Sequence, residues 1–175
     1  MIRIFLTGFM GAGKTTLGRA FAKDTGLSFI DLDWYIEERY HKTIGELFAE
    51  RGENGFRELE RKMLMEVGMF ENVVISTGGG TPCFSDNMEF MNANGVTVLL
   101  QASEAVLFRR LSVARMQRPK LKNLTDEELK QYIVDAQEQR RIYYEKAQHL
   151  FAADELEDRR QIAASVARLK GMLGM

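Results

Sequence analysis

Residues Thr7 to Gly18, TGFMGAGKTTLG, set Gly8, Gly13, Lys14 and Thr15 at the spacing G-x-x-x-x-G-K-[ST], after a short apolar run and ahead of a helical pattern. Gly8, Gly11 and Gly13 let backbone N–H groups turn inward around phosphate oxygens, and the start of the helix adds a partial positive charge. Lys14 then reaches the β and γ oxygens, and the Thr15 hydroxyl offers a ligand to Mg²⁺. A plain strand-to-helix turn needs one glycine, not these three with Lys-Thr behind them. The expected ligand is therefore a nucleoside triphosphate with Mg²⁺. The loop leaves its acceptor open: water, a second nucleotide and the hydroxyl of a small metabolite all fit.

Three further clusters bear on the acceptor. In DLD, Asp31 and Asp33 lie two apart, which in an extended segment places both on one face, at the sheet edge where open α/β folds bind ligands. One carboxylate can hold Mg²⁺, directly or through water, and the other can accept a hydrogen bond from an acceptor hydroxyl. The competing reading is that they cap the following helix. In GFRELERK, Arg57 and Glu60 share a helix face; an arginine fork suits a carboxylate, and an acid beside it can hold the fork in place. A solvated surface pair is the alternative there. In STGGGTPC, Gly78, Gly79 and Gly80 follow the third apolar run at a cost in backbone entropy, which points to something needing close access to the main chain, a flexible turn being the alternative.

These residues need a frame that brings them to one edge. Apolar runs at Ile2 to Thr7, Leu27 to Asp33, Asn72 to Thr77, Gly95 to Ala102 and, more weakly, His149 to Asp154 alternate with amphipathic segments. That pattern predicts five strands of a parallel sheet covered on both faces, an α/β sandwich. Capping boxes at Thr43 to Glu46 and Thr125 to Glu128 open two helices, the second being the longest helical pattern, to about Ala147. Val113 to Thr125, basic, aperiodic and carrying Pro119, reads as an excursion between helices and a lid. A terminal amphipathic helix covers EDRRQIAASVARLKGML.

The 175 residues suit one domain, and 45% hydrophobic with 28% charged residues is ordinary globular composition. A net charge of -1 gives no electrostatic reason for nucleic acid or an anionic membrane as partner, and no apolar stretch approaches a membrane span. The N-terminal apolar run is too short for a signal peptide. Cys83, the single cysteine, forms no internal disulfide and fits a reducing cytoplasm.

Taken in order, GFMGAGKTTLG, FIDLDWYIE, FRELE, TGGG and RPKL resemble shikimate kinase, in the nucleoside-monophosphate-kinase-like branch of P-loop folds, from about Ile2 to Tyr144. The combination of D-x-D, F-R-x-x-E and G-G-G carries most of the specificity. The resemblance implies a three-layer α/β/α sandwich with strand order 2-3-1-4-5, a single domain over 1–175, acceptor-binding helices at about 33–62 and a lid at about 112–125. It also implies ATP-dependent phosphorylation of the 3-hydroxyl of shikimate, on the way to chorismate and aromatic amino acids. A cytoplasmic monomer that binds neither nucleic acid nor membrane is expected.

Carried over by position, Gly11, Ala12, Gly13, Lys14, Thr15, Thr16 and Arg118 would bind ATP. Thr15 would ligate Mg²⁺ directly and Asp31 through water. Asp33 would contact the shikimate hydroxyls, either orienting the reacting one or taking its proton. Arg57, held by Glu60, would bind the carboxylate, and Gly79 would offer a backbone N–H. Lys14, Asp33 and Arg118 form the expected catalytic set, with Arg118 closing over the phosphates from the lid. A second carboxylate-binding arginine usually stands in R-x-P-x-Y; here the segment is QRRIYYEKA, with Ile142 in place of the proline, so Arg140 fits by its spacing to Tyr144 and Arg141 is the rival.

Lys120 stands where leucine is more usual, either packing over the shikimate ring or pointing to solvent. The family's adenine-cupping loop falls at about Asp154 to Asp158, without individual residues assigned. The resemblance places Phe48 and Phe56 by the shikimate ring, although aromatics at such spacing are more often core. His41 and His149 are isolated, and Arg109, Arg110 and Arg115 read as helix-surface arginines.

Overall fold

A computed structural model describes residues 1–118 and 120–175; Pro119, which the sequence assigns to the lid, lies outside the described residues. Five strands, β1 (Arg3–Thr7), β2 (Ser28–Asp31), β3 (Val73–Ser76), β4 (Val96–Gln101) and β5 (His149–Ala152), form one sheet in the order β2-β3-β1-β4-β5. Every pairing is parallel. The expected strand count, sandwich and order all hold. The strands are shorter than the apolar runs because capping and loop residues at their ends leave the ladder.

Helices α1 (Lys14–Thr25), α2 (Leu32–Tyr40), α3 (Ile44–Val67), α4 (Asn87–Asn94), α5 (Glu104–Ala114), α6 (Asp126–Tyr144) and α7 (Arg159–Leu173) cover both faces. Alternation along β1 divides the core. Ile4 and Leu6 join Leu17, Phe21 and Phe151 on one side, whereas Phe5 joins Ile36, Phe56 and Met63 on the other. Apolar side chains are therefore removed from water on both faces, which a parallel sheet requires.

Register brings the chemistry to one edge. Leu6 pairs with Ser76, and Ser76 with Asp31, so β1, β3 and β2 end level with one another. The phosphate loop, the triple glycine and the first aspartate all leave the sheet from that row. Both capping boxes form, at Thr43 with Glu46 and at Thr125 with Glu128. The longest helix is α3 rather than α6, but it breaks at Gly52 (φ 68, ψ 179), a left-handed position that glycine adopts without a Cβ penalty. Among the described residues no helix is long and apolar enough to cross a membrane.

Candidate active site

The glycine loop wraps the start of α1. Gly8 (φ 136), Gly11 (φ 78) and Gly13 (φ 98) all take positive φ, and at Gly8 a Cβ would overlap the Leu100 carbonyl oxygen. Lys14 is buried and donates to Gly8 O at 2.8 Å and Phe9 O at 2.9 Å. Burial pulls its ammonium down to about 8, opposed by the charges of Asp33 and Asp31.

The aspartate pair departs from the expectation of one extended face. Asp31 ends β2 and caps α2, its Oδ1 accepting from Asp33 N at 3.1 Å and Trp34 N at 3.5 Å, so Asp33 sits in the first helical turn. Capping leaves the other oxygen of Asp31 facing the glycine loop, where it accepts from Thr15 Oγ1 at 2.8 Å. Asp33 projects into the cleft. Desolvation, with the negative charges of Glu60 and Asp31, pushes it up to about 6.

The pair in α3 is not a solvated surface pair. Arg57 Nη1 donates to Glu60 Oε2 at 2.8 Å, with the Glu60 side chain 1% exposed. Thr81 Oγ1 donates to the other carboxylate oxygen at 2.6 Å, so Glu60 is held from two sides. The Arg57 guanidinium lies 5.8 Å from the Phe48 ring and 5.5 Å from the Phe56 ring. Those rings stack with centroids 4.1 Å apart and an interplanar angle of 25°.

Each of the three glycines has its own reason. A Cβ on Gly78 would lie 3.2 Å from both Asp33 Oδ1 and Glu60 Oε1, and one on Gly79 would lie 3.1 Å from Arg140 Nη1. On Gly80 it would overlap the Arg57 guanidinium. The bare backbone thus lets two acids and two arginines converge on one wall.

Arg140 and Arg141 part company. Arg140 lines the cleft, packs 5.2 Å from the Phe9 ring, and its buried Nη1 has no hydrogen-bond partner among the described residues. A buried donor left free is a place for an anion. Arg141 is exposed, pairs with Glu138 at 3.0 Å, and lines a different groove. Tyr144 donates to Gly79 O at 2.6 Å, and burial pushes its phenol up to about 12, keeping that proton in place.

Around a cleft of about 580 Å³ stand Gly11, Gly13, Lys14, Thr15, Thr16, Asp31, Asp33, Arg57, Gly79, Arg118 and Arg140. Ala12 is buried behind the loop. The segment expected to form the lid is partly helical: α5 runs to Ala114 and Arg115–Gln117 form a 3₁₀ turn. Leu121 anchors it in the core, and Arg115 ties it to Leu124 O at 2.9 Å. Lys120 faces the cleft with Nζ 5.6 Å from the Phe48 ring.

Sequence reasoning passed over Arg110. Its side chain is 15% exposed, not a surface feature of α5. It donates to Gly11 O at 3.1 Å, Ala153 O at 3.1 Å, Asp154 O at 3.0 Å and Glu157 Oε1 at 2.9 Å. It therefore staples the phosphate loop to the segment 153–157, and Leu156 and Glu157 complete that end of the cleft. An arginine in the middle of a helix carries no local signal of such distant acceptors. His41 and His149 lie outside the cleft, and no group of three or more His, Cys, Asp or Glu able to hold a metal occurs among the described residues.

The family model for shikimate kinase matches residues 10–170. The shikimate kinase of Phocaeicola vulgatus is 66% identical, over 99% of this chain and 99% of its own. Two solved structures superpose along the whole length. The shikimate kinase of Bacteroides thetaiotaomicron gives a TM-score of 0.97 at 64% identity, covering 99% of each chain. That of Acinetobacter baumannii in complex with shikimate gives 0.85 at 31% identity, covering 99% of this chain and 94% of that one.

Proposed function

The chain belongs to the shikimate kinase family, and from that premise we propose which of its residues do the work. The reaction is transfer of the ATP γ-phosphate to the 3-hydroxyl of shikimate, giving shikimate 3-phosphate and ADP, in chorismate and aromatic amino acid biosynthesis. The observation that carries the site reading is the convergence of Arg57 and Arg140 on the triple glycine, in the same cleft as Lys14 and Asp33.

Gly11, Ala12, Gly13, Lys14, Thr15 and Thr16 bind the ATP phosphates, with backbone N–H groups and the helix start facing the anion. Lys14 exchanges its bonds to Gly8 O and Phe9 O for phosphate oxygens. Arg118, which lines the cleft from the lid, neutralises charge on the transferring group. Arg57 and Arg140 bind the shikimate carboxylate, Glu60 holds the Arg57 fork, and the Gly79 N–H adds a donor. Phe48 and Phe56 wall the ring.

Asp33 accepts the hydrogen bond of the reacting hydroxyl and takes its proton as the new P–O bond forms. An acid with its pKa near 6 is ionised at neutral pH yet basic enough for that task. Because the phosphoryl transition state is loose, most of the acceleration comes from alignment and charge neutralisation.

Thr15 Oγ1 and Asp31 Oδ2, 2.8 Å apart beside the loop, are hard oxygen donors of the kind Mg²⁺ prefers, and few protein ligands suit a cation that keeps waters and phosphate oxygens. Thr15 would ligate it directly and Asp31 through water; bound there, the ion would neutralise phosphate charge. We also assign a monomeric enzyme and a cytoplasmic location, the latter in keeping with the single unpaired thiol, Cys83.

The test is ADP release coupled to shikimate, quinate, gluconate, CMP or no acceptor, with Mg²⁺ and ATP. Turnover with shikimate that Arg57→Ala and Arg140→Ala abolish at low acceptor concentration is the expected result. Unchanged KM for shikimate in both variants would overturn the site assignment.

A further inference from the structure

The lid carries a cation that the mechanism above leaves unused. Lys120 lines the cleft, and its Nζ lies 5.6 Å from the centroid of Phe48, the ring that the Arg57 guanidinium also approaches, at 5.8 Å. Lys120 and Arg57 therefore address the same wall of the acceptor site from different elements, α3 and the lid. Of the other cleft-side cations, Lys14 is bonded to two carbonyls, Arg57 to Glu60 and Arg110 to Glu157, while Arg118 and Arg140 form no ion pair among the described residues. Nearby, Arg115 is paired with Asp126. Lys120 takes part in no ion pair among the described residues. An ammonium on a long flexible stem, kept close to an aromatic face and free of a carboxylate of its own, remains available to an incoming anion.

Its position in the chain adds a second consequence. Leu121 N and Lys122 N both donate to Arg118 O, at 2.9 Å and 3.1 Å, and Leu121 is fully buried. Arg118 and Lys120 thus leave one hydrogen-bonded turn, anchored in the core, and both face the cleft. A ligand that holds Lys120 also restricts the turn that presents Arg118 to the phosphates.

We infer that Lys120 is an acceptor-recognising residue of this enzyme: it supplies a third positive charge to the carboxylate of an anionic acceptor and, through its shared turn with Arg118, couples acceptor binding to nucleotide binding. The inference rests on the assignment of the Arg57 and Phe48 wall to shikimate.

Lys120→Met keeps an apolar stem against Phe48 and removes the charge; Lys120→Arg keeps the charge. In Lys120→Met the KM for shikimate at saturating ATP should rise about 1.5- to 5-fold at low salt, the range of a solvent-accessible ion pair, and the rise should shrink at high salt. Nucleotide affinity measured without acceptor should stay within about twofold, since no contact of Lys120 with the phosphates is involved. Shikimate should bind wild type more tightly with ADP present than without it, that difference should shrink in Lys120→Met, and Lys120→Arg should restore it. With the uncharged carboxamide of shikimate as acceptor, Lys120→Met and wild type should differ little.

A Lys120→Met enzyme with shikimate KM and ADP coupling like wild type would overturn the inference while leaving the site assignment intact. Equal losses with shikimate and its carboxamide would overturn it too, as the mark of packing rather than charge. Wild-type enzyme whose shikimate KM ignores Arg57→Ala would overturn the assignment beneath it.

Discussion

Arg57 Nη1 lies 2.8 Å from Glu60 Oε2, and the second oxygen of that carboxylate accepts from Thr81. Glu60 is thus a buried anion with both oxygens engaged, and its work is to fix the orientation of an arginine that faces the cleft. Removing either partner has a different consequence.

Arg57→Ala should raise the KM for shikimate by a factor corresponding to about 2–5 kcal/mol, the usual cost of truncating one side of a buried charged contact, with ATP binding nearly unchanged. Glu60→Ala should act first on stability, because Thr81 and Arg57 lose their acceptor; a drop of about 3–5 kcal/mol in denaturant unfolding is expected. Glu60→Ala unfolding like wild type would contradict the buried pairing.

Asp33 gives a pH signature. Its carboxyl stands at about 6 when folded against an ordinary value of 3.8, so its favourable contribution to stability is complete below about 3.8 and is lost as pH rises through about 6. Asp33→Asn should therefore be more stable than wild type at pH 7 by about 1–3 kcal/mol, and the gain should vanish near pH 4. The same variant should lose most turnover, and wild-type kcat/KM for shikimate should fall on the acid side with a midpoint near pH 6. Asp33→Asn with near-normal kcat would eliminate the base role and leave only orientation.

Lys14 behaves in the opposite sense. Its folded value of about 8 lies below the ordinary 10.5, so its contribution is complete above about 10.5 and is lost as pH falls through about 8. Between pH 7 and pH 10, the stability of wild type relative to Lys14→Met should improve by about 1–3 kcal/mol, measured by urea unfolding at both pH values. A constant difference would mean that Lys14 is not desolvated in the free enzyme.

The adjacent arginines separate cleanly. Arg140→Ala should raise shikimate KM about 30-fold or more, while Arg141→Ala, which loses exposed pairing with Glu138 and Glu145, should stay within about twofold. The reverse ranking would move the carboxylate site to the other groove.

The glycines offer a steric test. Gly80→Ala directs a methyl group at the Arg57 guanidinium and Gly79→Ala directs one at Arg140, so both should impair shikimate binding more than ATP binding. Gly8→Ala has no such freedom: at φ 136 its methyl meets the Leu100 carbonyl, and loss of stability above about 2 kcal/mol is expected in thermal unfolding.

The sequence by itself determined what rests on spacing along the chain. The phosphate loop, the strands as apolar runs, both capping boxes and the triple glycine depend on neighbours within a few residues, and each formed where its pattern lies. Tertiary structure decided what depends on direction in space. One residue on a helix is a turn of about 100°, which is why Arg140 reaches the cleft and Arg141 does not. A strand that ends one residue before Leu32 turned Asp31 into a cap and put Asp33 on a helix. Arg110 gained its role from carbonyls more than 40 residues away, and long-range packing of that kind leaves no trace in local pattern.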